Sequence, residues 1–127
     1  MFKIFKDSYE NEPVRVEISA DEFDLKLFAE QLQRLEKLDS RNSTEPIRMS
    51  EMAGAEFTGV SDVIFVPSDT SRLSFVNSTV RALVTPSYAS RYVALIQALM
   101  AGKVGHQYLD AETNDEVELV VSLGEDA

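Results

Sequence analysis

The sequence predicts an α+β fold: a two-layer sandwich in which two helices pack on one face of a mixed, mostly antiparallel sheet. Three observations carry this. Residues 14–18, Val-Arg-Val-Glu-Ile, alternate apolar and charged side chains, the period of a half-buried strand. Two later segments repeat apolar residues at three- and four-residue spacing behind helix-start signals. Three strand-like runs lie between those helices and two follow the second, an order most economically folded as helices over a sheet. The chain has 127 residues, 44% hydrophobic and 27% charged. That suffices for one core without disulfides or metal. No linker and no internal repeat is evident, so residues 1–127 read as a single domain.

Residues 2–6 are a short candidate strand ahead of Val14–Ile18, with Asn11-Glu12-Pro13 at the turn of the hairpin. Ser19-Ala20-Asp21-Glu22 has the Ser-x-x-Glu spacing of a capping box, in which hydroxyl and carboxylate each satisfy one free amide at a helix start. Leu25, Phe28, Leu32 and Leu35 then form one stripe, with Leu38 near its end and Asp39-Ser40 stopping it. Asp21, Glu22 and Asp24 suit the positive helix start. Residues 39–61 keep neither period and read as a long connection or binding loop, with Ile47, Met49, Met52 and Phe57 available to pack it down. Val63–Val66, Leu73–Val76 and Thr79–Val84 read as an antiparallel meander, its last two strands joined by Asn77-Ser78. Thr85-Pro86 is a cap followed by proline at the first helical position. Ala89, Tyr92, Val93, Ile96, Leu99 and Met100 give that second helix a wide apolar face, and Gly102 ends it. His106–Leu109 and Val117–Leu123 complete a final hairpin around an acidic turn.

Composition excludes several classes of function. Without cysteine there is no disulfide scaffold, zinc ribbon, iron-sulfur cluster or thiol nucleophile, which suits a reducing compartment. The amino terminus alternates apolar and charged residues rather than forming a signal peptide. The apolar run Tyr92–Met100 is about half the ~20 residues a bilayer span requires. A cytoplasmic protein is expected, with the sequons at Asn42 and Asn77 serving as turns. The net charge is −10, but unevenly spread: residues 1–56 hold 13 acids and 8 bases, 57–103 hold 2 acids and 4 bases, and 104–127 hold 7 acids and no base. No basic stripe exists to replace phosphate counterions, so neither nucleic acid nor an anionic membrane is an expected partner. An acidic surface instead attracts a basic protein and speeds the encounter.

Few catalytic constellations survive inspection. His106 is the single histidine, flanked by Gly105, Gln107 and Tyr108, and no Gly-x-Ser-x-Gly elbow occurs. Glycines 54, 59, 102, 105 and 124 form no phosphate loop or dinucleotide fingerprint. Asp110–Glu116 places oxygen ligands at alternate positions like a calcium loop, but Asp115 stands where the turn needs glycine and Val121 where the bidentate glutamate belongs. Tyr88 and Tyr92 lie one turn apart, Tyr92 on the core stripe. No metal or cofactor is expected. The segment after Lys103 lacks bases, so Asp110, Glu112, Asp115, Glu116 and Glu118 form the candidate docking patch.

The run Gly105-His106-Gln107-Tyr108-Leu109-Asp110, a short acidic turn and Glu118-Leu119-Val120-Val121, all following an amphipathic helix, resemble the end of a small family of bacterial polymorphic-toxin immunity proteins. His106, Asp110 and Leu119 are the matching positions. The resemblance implies neutralisation of a cognate toxin by binding. The order helix, three strands, helix, two strands is similar to the chaperones that escort type III secretion effectors. Both families bind proteins and neither catalyses. The expectation is therefore a non-enzymatic bacterial module that binds a basic protein. The alternatives are a small-ligand or enzymatic domain using His106 with a carboxylate such as Asp110, and an assembly subunit that pairs two copies through an open sheet face. Monomer and homodimer both remain open.

Overall fold

The alternation at the amino terminus becomes an antiparallel pair, β1 (Lys3–Lys6) with β2 (Val14–Ala20), in which Ile4 faces Ile18 and both point into the core. The computed structural model describes residues 1–7, 13–36, 45–102 and 105–123; Asn11, Glu12, Leu38, Asp39, Ser40 and Asn42 lie outside it. Strand β2 outruns the five-residue alternation, so Ser19 is a buried strand residue and not the cap of a helix. Asp21 takes that role for α1 (Glu22–Glu36): its Oδ1 accepts the Asp24 N–H at 2.8 Å, and its carbonyl accepts the Leu25 N–H. Leu25, Phe28, Ala29, Leu32 and Leu35 are buried.

The aperiodic stretch holds two strands too short to display a period, β3 (Ile47–Arg48) and β4 (Glu56–Thr58), with a 3₁₀ turn at Met49–Glu51 between them. Ile47 and Met49 are buried, and Met52 and Phe57 pack against the core from its edge. Next come β5 (Asp62–Pro67), β6 (Arg72–Val76) and β7 (Thr79–Val84). Asn77 and Ser78 both take positive φ, 53° and 62°, and close a two-residue β6–β7 hairpin. The meander is not formed, because β5 pairs with β7 and runs parallel to it. Alternation specifies the face a residue occupies, not the neighbour its strand selects. In α2 (Pro86–Gly102) the cap is as expected, with Tyr88 N–H donating to Thr85 Oγ1 at 3.2 Å. The strands β8 (Gly105–Tyr108), β9 (Thr113–Asn114) and β10 (Val117–Leu123) follow, with β8 and β10 paired antiparallel.

These strands form two five-stranded sheets rather than one, with orders β4-β1-β2-β10-β8 and β3-β5-β7-β6-β9. Among the described residues four ladders are parallel and four antiparallel, which corrects the expected antiparallel majority. From β2 the chain passes through α1 into the second sheet, and from β7 it returns through α2 to the first; within the sheets β5 lies parallel to β7 and β10 parallel to β2. The helices pack on each other over one shared core, completing an α+β sandwich. Phe28 of α1 touches Phe2, which leads into the first sheet, and Phe65 in the second.

The topology also contains a repeat that the sequence does not reveal. The halves β1-β2-α1-β3-β4-β5 and β6-β7-α2-β8-β9-β10 correspond element for element. Replacing each strand of the first sheet by its counterpart reproduces the order of the second and the sense of all four ladders. Each half sends two strands into the other's sheet, β3 and β5 in one direction and β8 and β10 in the other. The buried helix positions correspond as well: Leu25 with Ala89, Phe28 with Tyr92, Ala29 with Val93, Leu32 with Ile96, and Leu35 with Leu99.

Candidate functional site

The acidic segment after β8 is fastened to both sheets. The Leu109 N–H donates to the Leu119 carbonyl, extending the β8–β10 ladder, and the Tyr92 hydroxyl donates to the Asp110 carbonyl at 2.9 Å. Burial pushes the Tyr92 phenol well above its usual range and keeps that hydroxyl protonated as a donor. Asn114 closes a small ring, accepting from the Ala111 N–H with Oδ1 and donating from Nδ2 to the Ala111 carbonyl. Across the gap to β6, the Glu112 N–H donates to Ser71 Oγ, the Thr113 N–H to the Ser71 carbonyl, and the Asp115 N–H to the Leu73 carbonyl. Glu116 turns the chain with φ at 57°, and its carbonyl accepts the Val14 N–H.

On this frame the five predicted carboxylates divide into two groups. Asp110 faces Arg91, whose Nη2 is 3.3 Å away, and Asp115 accepts a 2.6 Å hydrogen bond from Arg72 Nε. Glu112, Glu116 and Glu118 are exposed and make no side-chain hydrogen bond or ion pair among the described residues. The neutralising arginines come from the base-excess stretch 57–103. That block was visible in the sequence, but Arg72 reaches the acidic segment only through the pairing of β9 with β6, and Arg91 only because α2 packs beside Asp110. Glu118 lies on β10 itself, in register with Arg15. Among the described residues no group of three or more histidine, cysteine, aspartate or glutamate side chains could hold a metal.

His106 and Asp110 are not brought together. They sit four residues apart along one extended edge, a separation of ~13 Å at strand rise. Asp110 is engaged by Arg91, while the His106 ring stacks with Tyr108 at 6.0 Å between centroids. The polar group the sequence did not single out is Glu17. It lies on the face of the first sheet away from the core, yet it is only 6% exposed because β10 flanks β2. Ser122 Oγ donates to Glu17 Oε2 at 2.9 Å, Arg15 Nη2 is 3.9 Å from Oε1, and the Arg15 guanidinium lies over the Tyr108 ring. Its signal would have been the β2–β10 pairing, which joins residues a hundred positions apart. The hydroxyl and guanidinium compensate the buried carboxylate.

Two further surfaces complete the inventory. Between α1 and α2 runs an open groove of about 660 Å³, lined by Phe23, Lys26, Ala29, Gln33, Gln97 and Met100, with Phe23 69% exposed at its rim. The outer face of the second sheet carries Arg48, Ile64, Val66, Arg81 and Leu83. No helix among the described residues is long and apolar enough to cross a membrane. Comparison of the chain with protein-family models, with curated proteins and with solved structures finds no match.

Proposed function

We propose that the protein is a non-enzymatic binding module, immunity-like in action, that engages a basic protein partner through Asp110, Glu112, Asp115, Glu116 and Glu118. The observation that carries this reading is the pairing of a pinned backbone with unpaired charge. Glu112, Glu116 and Glu118 project from a segment held by hydrogen bonds to Ser71, Leu73, Tyr92 and Leu119, with no side chain among the described residues neutralising them. A charged surface whose backbone is already ordered loses little conformational entropy on binding and steers an oppositely charged partner over several ångströms of screened solvent. A bacterial cytoplasm, to which the cysteine-free sequence is suited, is the setting this proposal assumes.

The test is affinity capture from the source cell at ~20 mM and ~150 mM salt, followed by binding kinetics with the recovered partner. Wild-type protein should retain one basic protein that Glu112→Lys/Glu116→Lys releases, with the loss falling on the association rate. An association rate indifferent to both salt and charge reversal overturns the reading. Both positions are exposed, so the double variant should keep wild-type stability within about 0.5 kcal/mol at each site.

A further inference from the structure

The internal correspondence makes the outer faces of the two sheets counterparts, and their exposure differs. In the first sheet the central positions are sealed: Glu17 is 6% exposed, Val120 and Ser122 are fully buried, and Ser19 is buried. Their counterparts in the second sheet, Arg81, Ile64, Val66 and Leu83, are open or half-open. Val76, on the same face, is 63% exposed. Across this face one register row reads Arg48, Ile64, Arg81, Ser74, and the next reads Val66, Leu83, Arg72, Thr113. Arg48 and Arg81 make no hydrogen bond or ion pair among the described residues. In a chain of net charge −10, two unpaired arginines flanking aliphatic side chains on an open sheet form an unusual surface.

We infer that the outer face of the second sheet is the contact surface for a second copy of this chain. The face is self-complementary. Its β3 edge is basic through Arg48, and its β9 edge is acidic through the exposed Glu112 and Glu116, which lie beside an Asp115 that Arg72 already holds. A two-fold axis along the strands, between β5 and β7, lays Val66 of each copy over Leu83 of the other. The same axis turns each β3 edge toward the partner's β6–β9 edge, bringing Arg48 toward Asp115 and its acidic neighbours. Arg81 then faces the partner's β5, where Asp62 stands one row from Ile64. The opposite choice, an axis across the strands, stacks Arg48 on Arg48 and Arg81 on Arg81 and is disfavoured by like charge. Two sheet faces stack at about 10 Å, which arginine side chains can bridge.

The face spans five strands, ~19 Å at ordinary strand spacing. Its strands are short, so it lies below the ~800 Å² per partner of a standard interface. The expected dimer is therefore weak, forming at roughly 10–200 μM. The inference does not depend on the basic-partner proposal.

The experiment is sedimentation equilibrium of the full chain from about 5 to 500 μM, with Arg81→Glu, Val76→Asp and Phe23→Ser. Circular dichroism checks that each variant folds. Wild type should dimerise, and Arg81→Glu and Val76→Asp should each raise the dissociation constant at least tenfold while Phe23→Ser leaves it unchanged. If Arg81→Glu misfolds, Val76→Asp decides alone, since Val76 is a strand-end residue already open to solvent. A strictly monomeric wild type overturns the inference. So does a dimer insensitive to both sheet-face variants, or one lost on Phe23→Ser, which would place the contact on the helix groove.

Discussion

Phe28 is the side chain on which the union of the two sheets most depends, and Phe28→Ala should expose that dependence. It is fully buried in α1, edge-on to Phe2 at 6.3 Å and tilted against Phe65 at 5.3 Å, so its ring touches material from both sheets. Truncating a buried phenylalanine costs about 3–5 kcal/mol. Two aromatic contacts, each contributing about 0.5–1.5 kcal/mol beyond area, place this site in the upper half of that range. Against a total stability of ~5–15 kcal/mol, the loss is a large fraction. For a chain of this length it lowers Tm by roughly 12–20 °C. The assay is urea unfolding followed by circular dichroism and tyrosine fluorescence, with Phe28→Leu as a filled-volume control losing about 1–1.5 kcal/mol. A loss below about 1.5 kcal/mol for the alanine variant, or two separated transitions in the wild type, would refute the single shared core.

Three other perturbations test separate links. Asp21→Ala should lose about 1 kcal/mol of stability with its cap. The Asp24 amide bonded to the Asp21 carboxylate holds that carboxyl below its ordinary value of 3.8, so the cap contributes fully above pH 3.8 and is lost as pH falls through the lowered value. Acid titration of Asp21→Asn, which keeps the acceptor but cannot protonate, should show a shallower acid limb. Tyr92→Phe removes the hydroxyl that holds the Asp110 carbonyl and should lose about 0.5–1.5 kcal/mol, with faster amide exchange across residues 109–112 by NMR; unchanged exchange would mean the bond does not brace the segment. Cutting the chain in the β5–β6 connection should yield fragments 1–69 and 70–127 that lack stable structure alone and regain the parent spectrum when mixed, because each half carries strands for the other's sheet. A fragment that folds as a monomer would contradict the exchange.

What the sequence shows and what it hides follow one physical division. Local signals carried through: the Asn77-Ser78 turn, the Thr85 cap and the helix stripes all depend on residues within a few positions of one another. Partner choice did not. The parallel β2–β10 and β5–β7 ladders are stabilised by burial of side chains far apart in sequence, and period-two strands present the same pattern to any neighbour. The capping box failed because Ser19 satisfies its spacing equally well as the penultimate residue of a longer strand, and strand length is set by β10 alongside. The repeat is hidden in the sequence for a related reason. Burial is preserved along the helices, but residue type changes, from Phe28 to Tyr92 and from Glu17 to Arg81, and one offset does not serve every element: β2 and α1 share theirs, while Ile64 of β5 and its counterpart Val120 of β10 stand closer in sequence. The acidic patch was legible as composition; the arginines that neutralise two of its members were not, since their approach is a tertiary event.

The same division bears on how the two proposed surfaces interact. β9 is both the edge of the second sheet and part of the acidic segment, so the basic-partner surface and the copy-to-copy surface share a border at Asp115. Arg72 already occupies Asp115 there, and Arg48 of a second copy would approach the same edge. A basic partner gathered around Glu112 and Glu116 would therefore compete with that approach rather than add to it. Linkage then makes the competition reciprocal: whatever factor the dimer lowers partner affinity by, the partner lowers dimer affinity by the same factor. Dilution favours the monomer and bares the whole acidic edge, whereas accumulation of the chain covers part of it. A module arranged this way would bind its partner most tightly when it is scarce, and without rearranging its core, because the competing groups are surface side chains on an edge already fixed by hydrogen bonds to β6.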